Sequence, residues 1–332
     1  AMQRAVELAP RYFEARWALA NLRLRAGKTE ASLEDFRQAV ALSGSLYGNA
    51  TPPPDRNATL NAYNAIAGAF GMNLDALRRI TPPDAVGQAY LAEFLSNHDA
   101  MDQALEIWRN LPNEKTIVYR TLVAQLTREL QARNRFKEAN EVWQKFSALE
   151  GVPAASENNL ITNPGFEMTP LRETYATEVD LGEGFDWAIR RHPEVRAIRG
   201  NMAAHSGSFV LHLSFNASMS AGFGEISQLI AVEPLRQYRL SYFVKTKNIA
   251  SSPTETPFIG ITDAINPALF NLRAVVPSGT NEWNEQSITF SVPENTRGLR
   301  LTIQAPQLKT IDNLRIAELW LDDFKLSQYR ER

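Results

Sequence analysis

The sequence predicts a two-part protein, α then β: an α-helical repeat solenoid followed by an antiparallel β-sandwich. Three observations carry this prediction. In the first half, small and aromatic residues return at helical spacing, with Ala104 and Ala139 lying 35 residues apart. After Gly151 the helical period gives way to short alternating runs separated by turn residues. Asn158-Asn-Leu-Ile-Thr-Asn-Pro-Gly-Phe-Glu-Met168 is answered near the end by Trp320-Leu-Asp-Asp-Phe-Lys-Leu326, the pattern expected when the first and last strands of one sandwich lie side by side. A chain of 332 residues has room for two domains, each large enough to bury its own core. The predicted boundaries are a helical domain over 1–150, a linker over 151–157 and a β domain over 158–332.

Residues 1–10 read as the end of an amphipathic helix closed by Pro10, which predicts further repeats, and any export signal or anchor, upstream. Residues 13–46 form a helix-turn-helix, with Leu19 and Ala20 on the first helix, Gly27 at the turn, and Ser32, Phe36 and Ala39 on the second. The template returns with Leu91, Ala92, Ala104 and Trp108, and again with Leu126, Ala139 and Trp143. Asn57 to Ile80 is helical but fits poorly, between the rigid joints Thr51-Pro-Pro-Pro54 and Thr81-Pro-Pro83. Helices over 91–97, 100–109, 117–133 and 136–149 bring the total to about eight in a short solenoid. These positions resemble the 34-residue tetratricopeptide pattern. That resemblance implies a concave surface for a protein partner. Polar residues on first helices, Asn21, Arg25, Gln125 and Arg128, are the candidate contacts, while Trp17, Trp108, Trp143 and the periodic alanines and leucines are expected in the core.

In the second half, strands are predicted at Phe209–Phe215, Glu225–Val232, Gln237–Lys245, Phe258–Thr262, Leu272–Val276, Trp283–Val292, Leu299–Gln304 and Glu318–Leu326. Alternation sends Tyr238, Leu240, Tyr242 and Val244 to one face, and Arg239, Ser241, Phe243 and Lys245 to the other. The same reasoning turns His212, Arg300 and Gln304 outward. From its N-P-G-F-E opening through His205-Ser-Gly-Ser208 to the closing L-D-D, this half resembles the jelly-roll carbohydrate-binding modules. The resemblance implies a polysaccharide ligand, held on the outer sheet face or in loops at one end. A pyranose offers an apolar C–H face to an aromatic ring and hydroxyls to polar side chains. The face candidates are His212, Arg239, Phe243, Lys245, Arg300 and Gln304. The loop candidates are Phe185 and Trp187, with Trp283 expected chiefly in the core. The resemblance also implies a structural Ca2+ held by Glu167, a main-chain oxygen at Ser206 and Asp322, with Asp323 as neighbour. Alternation puts Asp322 on the face of Phe324 and Leu326.

Composition excludes several classes. Residues 1–150 carry 18 basic and 17 acidic side chains, and the net charge of the chain is -2, so neither half has the basic excess of a nucleic-acid binder. Without cysteine there is neither disulfide nor thiolate chemistry. No apolar run reaches membrane-spanning length. His98, His192, His205 and His212 lack the spacing of a catalytic zinc site, and no nucleophile elbow or phosphate loop occurs. The pairing of the two resemblances implies a non-catalytic adaptor at a bacterial cell envelope, serving polysaccharide synthesis or export. The alternatives are a structural assembly scaffold, or a glycoside-active enzyme, which would need two carboxylates facing each other across a cleft; Asp180, Glu183 and Asp186 read instead as solvated loop charges.

Overall fold

A computed structural model of the chain describes residues 2–44, 53–152, 155–156, 158–169, 184–190, 192–215, 222–249, 255–306 and 317–329. Asp180 and Glu183 lie outside the described residues, as do Thr51 and Pro52 of the first proline joint and parts of the predicted linker. Helices come first and strands second, as predicted. The chain divides into two compact units, Ala1–Leu126 and Thr127–Arg332.

Among the described residues the first unit holds α1 (Met2–Leu8), α2 (Phe13–Arg25), α3 (Thr29–Ser43), α4 (Arg56–Phe70), α5 (Leu74–Ile80), α6 (Ala85–Ser96), α7 (Met101–Asn110) and most of α8 (Ile117–Ala132). Short polar residues set the helix starts. Asp55, Asn73 and Asp84 each accept the backbone N–H three residues on, at 2.8, 3.0 and 2.9 Å, which satisfies a donor the helix cannot. The helices between the proline joints are thus two well-capped ones. Ala20, Phe36 and Ala39 are fully buried between α2 and α3, as the small-residue spacing predicts. Two buried acids are paired. Asp35, 1% exposed, receives Arg16 at 3.4 Å and Arg23 at 2.7 Å, and Glu93, equally buried, is held by Arg56. None of the described helices is long and apolar enough to cross a membrane.

The second unit contains the end of α8, α9 (Phe136–Leu149) and the strands. Helix α9 docks on the sandwich through two aromatic side chains seated over glycines. The Trp143 indole lies against Gly184 and the Phe136 ring against Gly298; a Cβ at these glycines would fall 2.2 Å and 2.4 Å from the rings. Only a residue without a side chain lets backbone and ring approach this closely.

Among the described residues, ten strands form two five-stranded antiparallel sheets. One runs β1 (Ala188–Ile189), β4 (Phe223–Ala231), β9 (Gly298–Ala305), β6 (Phe258–Asp263), β7 (Asn271–Val275). The other runs β2 (Val195–Gly200), β3 (Val210–Phe215), β10 (Ala317–Gln328), β5 (Gln237–Ile249), β8 (Gly279–Ser291). Most successive strands change sheet, the winding of a jelly roll. Leu211, Leu213, Tyr242, Val244, Leu319 and Leu321 from one sheet meet Ile226, Ile230, Ile259, Ile261, Leu301 and Ile303 from the other in a single core. The opening segment does lie beside the last strand: the Leu160 N–H donates to Leu326 O at 2.8 Å, and the Asn159 side chain both donates to Phe324 O and accepts the Leu326 N–H. Strands β1 and β2 escape the sequence reading. The first is two residues long, and β2, Val-Arg-Ala-Ile-Arg-Gly, is an edge strand whose arginines obscure its alternation.

Candidate functional site

The outer face of the sheet carrying β3, β10 and β5 concentrates aromatic and charged side chains. Cross-strand register sets Ile198, His212, Trp320 and Lys245 in one row, since His212 pairs with Trp320 and Trp320 with Lys245. The His212 and Trp320 rings stack at 4.6 Å between centroids with 3° between planes, forming a half-exposed ridge. Beside it, His205 stacks on Phe243 at 3.7 Å, and Trp283 meets His205 edge-on at 5.5 Å while donating its Nε1–H to Ala203 O. Phe243 therefore points outward as predicted, but the imidazole covers its ring. Charged groups frame these rings. Lys245 reaches Glu282 at 2.5 Å, and Glu318 takes both Lys247 at 2.6 Å and His212 at 3.0 Å. The Lys247 ammonium, with smaller help from His212, holds the Glu318 carboxyl below its usual range. Arg239, further along the face, donates to Ser287 at 3.1 Å.

Three expectations about this surface are corrected. Arg300 and Gln304 lie on β9, in the opposite sheet, so they share no face with His212 and Lys245. There Arg300 donates to Ala264 O and Gln304 to Thr302. Phe185 and Trp187 are not loop platforms. They are 2% and 0% exposed, and Trp187 packs on Phe166 and Phe324 at 4.9 and 5.2 Å with its Nε1–H donated to Asn163 O. Trp283, expected in the core, is half-exposed on the outer face instead. Sequence reasoning also missed Trp320 and His205 as surface rings. Trp320 opens the closing strand motif, but its face depends on a register that only the pairing with β3 and β5 fixes.

The bookend motifs meet in an acidic corner. In the Asn163-Pro-Gly-Phe166 turn the Asn163 side chain exchanges hydrogen bonds with the Met168 backbone, and Phe166 enters the core. Glu167 Oε1 accepts the backbone N–H groups of Ser208 and Phe209 at 2.9 and 3.0 Å, and Gly207, at φ 61°, leaves room for this carboxylate. Asp322, fully buried, accepts the N–H groups of His205, Ser206 and Asp323, while Asp323 binds the His205 ring and the Ser206 hydroxyl, each at 2.7 Å. Burial, and then the neighbouring Asp323 charge, push the Asp322 carboxyl up to about 6. A bulge between Asp322 and Lys325, with Asp323 at φ 49°, breaks the alternation. Asp322 consequently lies opposite Phe243, beneath the His205 loop, and not on the core face of Phe324 and Leu326. The corner thus sets Ser206 against Asp322, while Glu167 is held by the Ser208 and Phe209 N–H groups of the same loop. Among the described residues no group of three or more His, Asp or Glu side chains is placed to hold a metal ion.

The candidate partner residues divide. Arg25 and Arg128 are exposed, and Asn21, half-buried, donates back to Trp17 O on its own helix. Gln125 is corrected to a packing residue: it is buried and ties α8 to α6 by donating to Glu93 O and to the Ser96 hydroxyl at 2.6 Å.

No protein-family model matches the sequence, and no curated protein matches it either. Solved structures do. A family 16 carbohydrate-binding module is similar at 18% identity with a TM-score of 0.32, over 51% of this chain and 99% of that one. The xylan-binding family 22 module of a Paenibacillus barcinonensis protein is similar at 15% identity and a TM-score of 0.28, over 44% of this chain and 87% of that one. The enzymatically active domain of tailspike protein 4 of bacteriophage CBA120 is similar at 15% identity and a TM-score of 0.35; the match spans 52% of this chain but only 21% of the tailspike domain.

Proposed function

We propose that the chain is a non-catalytic binding protein whose β-sandwich holds polysaccharide on the outer face of the β3, β10 and β5 sheet. Its helices, read as tetratricopeptide-like repeats, dock a protein partner through exposed groups such as Arg25 and Arg128. The observation that carries the sugar half is the half-exposed ridge of Trp320 and His212, with Trp283 nearby and ion-paired Lys245, Lys247 and Glu318 around it. Aromatic edges and faces meet sugar C–H groups, and paired charges fixed in place present hydrogen-bond donors and acceptors to hydroxyls. Joined in one chain, the two halves suit an adaptor in envelope polysaccharide synthesis or export. The proposal extends to a Ca2+ at the acidic corner, held by Asp322 and Glu167 with main-chain oxygens and water. A buried carboxylate destabilised by a second one beside it gains from a cation, and hard oxygen donors suit calcium.

The test is a glycan array probed with the full chain, Trp320→Ala and Trp283→Ala. We expect a polysaccharide class retained by the full chain and weakened about tenfold by Trp320→Ala, the loss set by about 1.4 kcal/mol of ring contact. Silence across neutral and acidic glycans, or retention untouched by both variants, overturns the sugar reading.

A further inference from the structure

A second surface of the second unit has its own chemistry. Helix α9 and one end of the sandwich enclose an open groove of about 1180 Å³, walled by Lys137 and Asn140 of the helix, by the turn joining β4 to β5, and by the ends of β5 and β10. That volume exceeds the ~300–1,000 Å³ of ordinary small-molecule pockets and suits several linked units of a polymer.

Its charge opposes that of the molecule. The chain carries a net charge of -2, yet among the described lining residues Lys137, Arg236 and Lys325 face a single acid, Glu233. Glu233 is already engaged, by Arg236 at 3.4 Å and by Gln328 at 3.3 Å. Lys137 and Lys325 project from different walls, helix and strand, so a ligand answering both must carry charges spaced along its length. Between them the lining is mostly neutral and polar, with amides such as Asn158 and Gln237 and the Ser327 hydroxyl. Such groups match sugar hydroxyls, whereas a peptide would ask for apolar side-chain pockets. Two apolar groups stand at the rim. Tyr329 is 38% exposed, and Leu235 is 71% exposed although its backbone is held at φ 57°. A leucine in the left-handed region is strained, and such strain gathers at ligand sites.

We propose that this groove binds an acidic oligosaccharide, with Lys137 and Lys325 pairing uronate carboxylates, the amides taking hydroxyls, and Leu235 and Tyr329 covering C–H faces. The groove meets the outer sheet face at the far end of β10 from Trp320, and the Trp320→Ala arm of the test lets the two readings fail separately.

The experiment is calorimetric titration of the full chain with hexagalacturonate, at low and high salt, alongside xylohexaose and poly-glutamate. Hexagalacturonate is expected to bind with an affinity that falls as salt rises, and Lys137→Ala/Lys325→Ala is expected to weaken it about tenfold. The Arg double replacement at the same positions is expected to restore binding, which separates charge from folding. Trp320→Ala distinguishes the two surfaces. Absence of hexagalacturonate binding at low salt, binding insensitive to the lysine replacements, or a larger loss in Trp320→Ala than in the lysine variant overturns the proposal. Poly-glutamate bound as tightly, with the same lysine dependence, makes the groove an acidic-peptide site and overturns it equally.

Discussion

Replacing Gly184 by alanine places a methyl group inside the indole that anchors α9. The new Cβ would stand 2.2 Å from Cη2 and 2.3 Å from Cζ3 of Trp143, whereas carbon contacts relax at about 3.5–4.0 Å. Trp143 is 1% exposed and its ring is rigid, so helix or backbone must move by more than an ångström. Overpacking of this kind costs about 1–3 kcal/mol, and the ceiling is the loss of the whole buried indole, about 3–5 kcal/mol. At a central value of about 2 kcal/mol, a unit of this size melts about 4–8 °C lower. The assay is urea and thermal unfolding of the full chain, followed by circular dichroism of the sheets. A double-mutant cycle with Trp143→Leu isolates the contact. With the indole gone, Gly184→Ala is expected to cost less than about 0.5 kcal/mol, a coupling of at least about 1 kcal/mol. Equal destabilisation in both backgrounds, or none in either, refutes the docking argument.

Asp322 makes stability depend on pH. Its folded carboxyl titrates at about 6 against an ordinary 3.8, so between these values the folded state keeps a proton that the unfolded state has shed, and stability falls as pH rises through that window. The loss is on the order of 1–3 kcal/mol; it is expected to vanish in Asp322→Asn, and a wild-type profile flat from pH 4 to 6 in chelator counts against the assignment. Calcium is expected to raise the melting temperature of the full chain above pH 6 and to lose that effect in Glu167→Ala; identical melts with calcium and with chelator sink the calcium proposal. In the helical unit, Asp35→Ala leaves Arg16 and Arg23 without their shared carboxylate, and a loss of about 1–3 kcal/mol is expected in urea unfolding, where an unchanged midpoint would show the pair to be idle.

The fold was legible where local pattern suffices. Alternation in Tyr238-Arg-Leu-Ser-Tyr-Phe-Val-Lys245 puts Tyr238, Leu240, Tyr242 and Val244 inside, and all four are buried; the alanines of α2 and α3 sit where helical spacing places them. The site was legible only in part, because a surface is assembled from strands whose order the sequence does not state. Arg300 alternates outward on β9 as surely as Lys245 does on β5, yet the two strands belong to different sheets. Phe185 and Trp187 sit in a polar, glycine-bearing stretch that reads as a loop, and their burial follows from distant partners: Phe166 and Phe324 for Trp187. Gln125 looked free because its acceptors, Glu93 O and the Ser96 hydroxyl, lie about thirty residues earlier on another helix.

The least legible feature, one irregularity in β10, has the widest consequence. Strict alternation from Trp320 would send Phe324 and Leu326 to the outer face and turn Asp323 and Lys325 inward. The bulge at Asp322–Lys325, absorbed by Asp323 at φ 49°, reverses that phase: Phe324 and Leu326 are buried at 1% and 2%, and Lys325 is exposed. Burying those two side chains contributes about 1.5–3 kcal/mol each, enough to hold the distortion in place. The same extra residue lodges Asp322 beneath the His205 loop, where its burial and the Asp323 charge raise its carboxyl pKa. It also leaves Trp320 and Lys325 on one side of one strand, opposite Lys245 and Ser241 of β5 and so roughly 13 Å apart at about 3.3 Å per residue of the regular partner strand. A polysaccharide laid along β10 from the aromatic ridge would therefore run toward the basic groove beside α9, and a chain long enough to touch both would bind more tightly than either surface alone through effective concentration.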